Sequence, residues 1–401
     1  MALDDPRYAA VAADTAGFLL GPLAAPDGTF YSSLAATDPK GEGAYYTWTP
    51  AEVRTVLGAN APGFLAAYGV TDAGNFHDGR SVLVRGAGVD PADPALAADR
   101  ARLLAARAAR PAPPADTKRV IAYNALAIGA LARAGRLLHH PEWVAAAGKA
   151  MHVVLAARGD SLVLPRTLEA DSPPGIVDDQ AFTVQALLDL YEADADPSWL
   201  LQADALTASM LDRFGDSRDG GLWVTDRTAP GLLVRRKVPE DNALPSGEAV
   251  AVLDLWRLRA YGAPHGDPAI LDKALKSASV LLVRAPGAVP TLSRVVDALS
   301  RASVEAVVAT APGHAADAAP FLAAFDARYR PYAVLARIDP ASEARLAGFR
   351  ALEGKSAAAA PVLGYVCFDG ACKQPTADPR AFRKSVDAAP KVETAGQGAL
   401  P

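Results

Sequence analysis

The sequence predicts a mainly α-helical fold: an incomplete or open α/α toroid built from helical hairpins, followed by a small C-terminal α/β element. Three observations predict it. A helix-opening motif recurs, the helices that precede it are apolar almost all round, and the long connections fall on one end of the hairpins only.

The motif is Pro, then a large apolar residue two positions on, then Ala four positions later. It occurs at Pro6/Tyr8/Ala12, Pro141/Trp143/Ala147, Pro197/Trp199/Ala203 and Pro268/Ile270/Ala274. Proline suits the first turn of a helix because its missing N–H has no intrahelical partner there. Each copy opens a stretch with apolar or small residues at helical spacing, such as Trp199, Ala203, Leu206, Met210 and Phe214. These four helices are one-sided and form the outer layer. Three copies have a partner just upstream, over about residues 117–138, 179–194 and 246–261. Those partners are apolar on nearly every face, so they are inner helices covered on both sides. The links from each outer helix to the next inner helix are long and rich in glycine, charge and β-formers. Loops elaborated on one face build a pocket in a toroid, whereas a plain solenoid has short turns at both ends. No inner helix precedes Pro6, so the chain is expected to start in the middle of a repeat.

The periodicity changes after about residue 284. SVEAVVAT (303–310) and YAVLARID (332–339) alternate as strands around the helical segment DAAPFLAAFDARY, and VLGYVCF (362–368) offers a third strand. The expected domains are an α/α-hairpin toroid domain over 1–290, a small α/β element packed on it over 291–384, and a disordered tail over 385–401.

Composition bounds the function classes. The 401 residues are 51% hydrophobic but only 7% aromatic, so the apolar fraction is mostly Ala, Leu and Val, which favours packed helices over a β-sandwich. A net charge of −5 argues against a broad nucleic-acid surface or a polybasic membrane surface. Two cysteines exclude a disulfide scaffold and a four-cysteine zinc site. The first residues lack the basic start of a secretion signal. A soluble, cytoplasmic protein with no metal or cofactor is the expectation.

With the helices placed, the loops become readable. DGTFYSSL, GAYYTWTPAEV, YGVTDAGNF, VDDQAFTVQALLDLYEADADPSWL, GGLWVT, RRKVPEDNALPSGEAVA and YVCFDGACKQP follow one another between about residues 5 and 380. In residues and order they resemble the helical portion of the thioredoxin-domain-containing family that includes spermatogenesis-associated protein 20. The resemblance implies an (α/α)6 toroid similar to six-hairpin glycosidases and sugar epimerases. It also implies that the N-terminal thioredoxin-like domain and the opening hairpins are lacking. Some loop acids of the family pattern are replaced: Ala35, Ala36, Thr37 and Asp38 stand at its Asp-Ala-Asp-Ser, Thr117 at the second acid of its Asp-Asp-Lys, and Glu248 at the Asn of its Pro-Ser-Gly-Asn.

The candidate residues follow from the loop face. Asp178 and Asp179 begin an inner helix. One carboxylate is a candidate acid–base group raised by its neighbour; the other reading is a helix cap, which satisfies free N–H groups. Arg235, Arg236, Lys237, Glu240, Asp241, Asn242, Ser246 and Glu248 form the densest polar cluster, suited to a polyhydroxylated or carboxylated ligand or to a solvated loop with Ser246 as cap. An enzyme reading assigns acid–base work to Asp179 with Asp241 or Glu248. Tyr46, Asn124, Asp178, Trp223, Arg236, Lys237, Asn242 and Ser246 would then hold a carbohydrate-like substrate. No histidine is placed as a base over the pocket, and no set has zinc spacing. Cys367 and Cys372 could hold half a metal site or form a local disulfide, and the favoured reading is a pair of semi-buried thiols in a tight turn. Replaced acids and absent repeats favour a non-catalytic toroid whose open edge is covered by a protein partner or a second copy.

Overall fold

The computed structural model describes residues 5–38, 41–90, 93–158, 163–358 and 360–388. Two compact units divide the chain: a smaller one of residues 6–11 and 31–117, and a larger one that includes residues 12–30 and everything described from 118 onward.

Helix α1 (Pro6–Leu20) contributes to both units. The smaller unit then holds the short strands β1 (Ser33–Leu34), β2 (Thr37–Asp38) and β3 (Gly41–Glu42), helices α2 (Pro50–Leu57), α3 (Ala61–Tyr68) and α4 (Pro94–Ala108), and strand β4 (Ala115–Asp116). β1 pairs antiparallel with β4, and β2 with β3. Its core is Trp48, Val53, Leu57, Phe64, Tyr68 and Leu103. α2 starts on a reciprocal cap: Glu52 N–H donates to Thr49 Oγ1 at 3.2 Å and Thr49 N–H to Glu52 Oε2 at 2.8 Å. The Arg110 guanidinium lies 3.9 Å from the Trp48 ring centre, so Trp48 is a packing residue here.

The larger unit contains the three hairpins that the repeat predicts: α5 (Ile121–Leu138) with α6 (Pro141–Ala156), α7 (Val177–Asp194) with α8 (Pro197–Phe214), and α9 (Gly247–Ala260) with α10 (Pro268–Ser277). The inner helices lie side by side with α7 between α5 and α9, and each outer helix packs on its own partner. This is an arc of an α/α toroid. Every residue of α9 except Arg259 is buried, as expected for a helix covered on both faces. Gly129 allows the close approach of α5 and α7, because a Cβ there would lie 3.5 Å from the Ala186 Cα and 3.0 Å from Asp189 Oδ2. Asp196 and Asp267 cap α8 and α10 just ahead of their prolines.

Helices α11 (Ser279–Arg284) and α12 (Pro290–Leu299) lead into the α/β element. It comprises β5 (Val304–Thr310), α13 (Ala319–Asp326), β6 (Ala333–Ile338), α14 (Pro340–Arg345), β7 (Val362–Phe368), β8 (Ala371–Cys372) and α15 (Pro379–Asp387). The sheet order is β6-β5-β7-β8, with β5 and β6 parallel and β7 antiparallel to β5. Strand periodicity divides the sheet's two faces. Val304, Ala306 and Val308 pack with Phe321 and Phe325 of α13 and Phe382 of α15, while Val307 and Ala309 join the hairpin core. Of the tail expected from residue 385, residues 385–387 end α15, and 389–401 lie outside the described residues.

The expectation for the cysteines is corrected. Cys367 and Cys372 stand directly opposite each other across β7 and β8, and a disulfide joins them. The Asp369-Gly370 turn folds the hairpin back on itself, with φ of +47° and +82°, and so brings the two sulfurs together.

α1 departs from its repeat. At the motif's large apolar position Trp143 and Trp199 are 7% and 3% exposed, whereas Tyr8 is 60% exposed. Val11 and Phe18 continue the Tyr8 stripe at helical spacing and are 63% and 42% exposed, and Ala16 is the one buried residue of the helix. Trp199→Ala is therefore expected to cost about 3–5 kcal/mol through the cavity it leaves, and Tyr8→Ala under about 1 kcal/mol. Urea denaturation of the two variants checks this, and equal losses would contradict the difference in burial.

Candidate functional site

The three inner helices begin on the side that carries the long loops, and Asp178 and Asp179 sit in the first turn of the middle one. Asp179 is fully buried. Its Oδ1 accepts from Ala122 N–H at the start of α5 at 3.1 Å and from Arg166 Nη1 at 2.8 Å. Its Oδ2 accepts from Ile176 N–H at 2.8 Å, closing the cap of its own helix. Burial pushes the Asp179 carboxyl up to about 6, against the pull of Arg166 and these N–H groups. Asp178 is half-buried; burial raises it too, opposed by Arg166 and by a hydrogen bond from Gly247 N–H at the start of α9. Gly247 must be glycine, because a Cβ there would lie 2.2 Å from Asp178 Oδ1. The acidic pair thus ties the start of α7 to the starts of both its neighbours.

The other expected residues are placed as follows. Asn124 is fully buried and clasps the backbone of Phe30, accepting from its N–H at 2.7 Å and donating to its carbonyl at 2.9 Å. Asp241 accepts from Ser246 N–H and Thr291 N–H, both at 2.7 Å, one on each oxygen. Ser246 caps α9 by accepting from Ala249 N–H at 3.2 Å. Lys237 pairs with Asp216 at 2.7 Å and, with Arg235, covers the Trp223 ring at 4.7 Å and 5.2 Å. Arg236 and Asn242 are exposed. Tyr46 belongs to the smaller unit, edge-on to Tyr45. Asn124, Asp179, Asp241 and Ser246 therefore spend their polar atoms on the fold, and Arg236 and Asn242 remain open to solvent.

Glu248 is different. It is 3% exposed, its Oε1 accepts from Leu222 N–H at 3.1 Å, and its Oε2 is buried without a hydrogen-bond partner. Burial pushes this carboxyl up to about 7, against the Leu222 N–H and the charge of Lys237.

Further along the inner helices lies a charged cluster that the loop motifs do not announce. Arg257 of α9 reaches Asp189 at 2.8 Å and Glu192 at 3.0 Å on α7, and Tyr261 Oη donates to Glu192 Oε1 at 3.0 Å. Asp254, fully buried, has neither oxygen partnered, and burial holds its carboxyl well above the usual range. The available signal was charge on helices otherwise apolar all round. Among the described residues no group of three or more His, Cys, Asp and Glu side chains is placed to hold a metal ion, and no helix is long and apolar enough to cross a membrane.

The fold defines an α/α-hairpin protein with an appended α/β layer, whose inner-helix starts are joined by carboxylates. The chain is similar to spermatogenesis-associated protein 20: it is 30% identical to the Homo sapiens protein over 445 residues and 28% identical to that of Mus musculus, matching 95% of this chain in both cases. It spans about half the length of these curated relatives, 55% and 54%. No family model matches the sequence. Among solved structures, a GH76 alpha-mannanase of Bacteroides thetaiotaomicron is similar at a TM-score of 0.34 and 19% identity, over 44% of this chain and 46% of that one. A GH76A alpha-1,6-mannanase of Salegentibacter is similar at 0.34 and 14%, over 69% and 70%.

Two outcomes follow from the carboxylates. Asp179→Ala strands the Arg166 charge and two backbone N–H groups, and should lower stability by about 3 kcal/mol in denaturant unfolding. Glu248 binds its proton more tightly in the folded chain than its ordinary value of 4.5 allows. It therefore subtracts stability progressively as pH rises from about 4.5 through about 7, on the order of 3 kcal/mol in all. Glu248→Gln should remove that slope, so the variant gains on the parent between pH 5 and pH 8; parallel stability curves would refute the assignment.

Proposed function

We propose that this chain is a non-catalytic binding and assembly protein, which docks an apolar helix of a protein partner against α1. The observation that carries the reading is the exposure of Tyr8, at 60%, in a repeat position that is 7% and 3% exposed in the two tryptophan copies. In those copies the ring is packed away, Trp143 stacked on His140 at 3.8 Å and Trp199 against His152 of α6 at 4.8 Å, so the chemistry that fits the Tyr8, Val11 and Phe18 stripe is the apolar face of another helix. The curated relatives extend well beyond the matched region, which leaves room in such proteins for further helices. The alternative, a carbohydrate-active enzyme using loop carboxylates, has less to support it. Asp179 and Asp241 have each oxygen engaged by donors, and Glu248 is closed off from solvent. A general acid must reach the atom it protonates.

The test is co-expression with a helical segment taken from the unmatched part of a full-length relative, read by light scattering. A one-to-one complex is expected, and Tyr8→Asp with Val11→Asp should abolish it while leaving the unfolding midpoint unchanged. A complex indifferent to the two substitutions, or a stable monomer that ignores the segment, would overturn the reading.

A further inference from the structure

On the larger unit, a cavity of about 570 Å³ opens between the ends of α9 and α12, the start of β5, the segment around Arg350 and the β7–β8 hairpin. Its volume falls in the range of small-molecule pockets, roughly 300–1,000 Å³. Trp256 and Leu299 supply apolar wall, and the Cys367–Cys372 disulfide fixes the hairpin side. The segment around Arg350 is held by its N–H, which donates to the Gly262 carbonyl at 3.0 Å. The approach is close: a Cβ on Gly262 would lie 2.5 Å from Ala351 N.

The charges of the wall do not balance locally. Lys355 is 8% exposed, and its ammonium donates only to the Ala351 carbonyl, with no ion pair among the described residues. Arg259 and Arg350 line the same cavity, are exposed, and likewise have no ion pair among the described residues. Arg301 is already engaged by Asp297 at 3.0 Å. The two acids of the wall are turned to other work. Glu305 accepts from Gly370 N–H at 3.1 Å and Asp369 from Ser303 N–H at 3.1 Å, and the two share the single Ser303 Oγ proton, at 2.9 and 3.0 Å. Burying an ammonium is costly: burial lowers the proton affinity of Lys355, and the nearby Glu305 carboxylate offsets that only in part. An anion in the cavity would relieve that cost while the two guanidinia grip it from the rim.

We propose that this cavity binds a small molecule carrying a phosphate monoester, its phosphate held by Lys355, Arg259 and Arg350 and its organic part against Trp256 and Leu299. Two guanidinia without an ion pair among the described residues and a point-charge ammonium suit a dianion with three acceptor oxygens better than they suit a single carboxylate. The proposal uses no residue of the α1 surface, so it stands or falls separately from partner docking.

Calorimetric titration of the full chain with phenyl phosphate at low salt tests it, with benzoate as the single-charge comparison. Phenyl phosphate should bind at least tenfold more tightly than benzoate. Arg259→Ala with Arg350→Ala, both at exposed positions that fold without them, should weaken phenyl phosphate at least tenfold. The control Arg218→Ala, at a residue outside the cavity, should leave binding unchanged. Lys355→Met should weaken binding too. No binding at millimolar phenyl phosphate, or equal binding by the Arg259/Arg350 double variant, would overturn the proposal.

Discussion

The fold of the larger unit depends on one constraint: three inner helices start side by side, and the N–H groups of their first turns must find acceptors away from water. Asp178 and Asp179 meet it from the middle helix. One carboxylate takes N–H groups from α5 and from its own helix, the other takes one from α9. Two neighbouring residues therefore set the register of three helices far apart in sequence. Arg166 limits the electrostatic cost of burying the pair by meeting Asp179 at 2.8 Å. Gly247 and Gly129, where neighbouring helices approach most closely, are further consequences of the same packing.

That constraint also explains why the loop face is poor in free acid–base groups. An acid that takes backbone N–H groups on both oxygens holds the scaffold and has little left to offer a substrate. Nearer the other end of the inner helices, the Arg257 cluster joins α7 to α9 by a buried ionic contact, and Tyr261 Oη lies within hydrogen-bond distance of both Glu192 of α7 and the Leu335 carbonyl of β6. Polar groups with spare capacity remain at Glu248 Oε2, at Asp254 and in the cavity beside the β7–β8 hairpin.

Much of the fold was legible because it is written in local periodicity. The Pro-led outer helices and the all-round apolar inner helices came directly from residue spacing, and the strand segments from alternation. The site was less legible. Asp178 and Asp179 stood out as a motif, but a motif does not tell a cap from a catalyst; the donors that meet Asp179, Ala122 and Arg166, come from other segments. Asp189, Asp254 and Arg257 were visible as charges on apolar helices, yet only packing shows that Arg257 is paired twice while Asp254 is not paired at all. Cys367 and Cys372 read as thiols because spacing alone gives no register, and the antiparallel pairing of β7 with β8 brings them face to face.

By itself, the sequence determined the three hairpins and the outer helix α1, and which face of each is apolar, since these follow from interactions within a few residues; α2, α3, α4 and α15 lay outside its periodic signal. Tertiary structure decided which polar groups are consumed and which stay available. Asp179 meets its α5 donor across 57 residues and Asn124 meets Phe30 across 94. Such meetings depend on how helices and loops are set against one another, and a linear pattern carries no distance between them. The stripe of α1 combines both kinds of information: its motif came from the sequence, and the exposure of Tyr8 came from the fold.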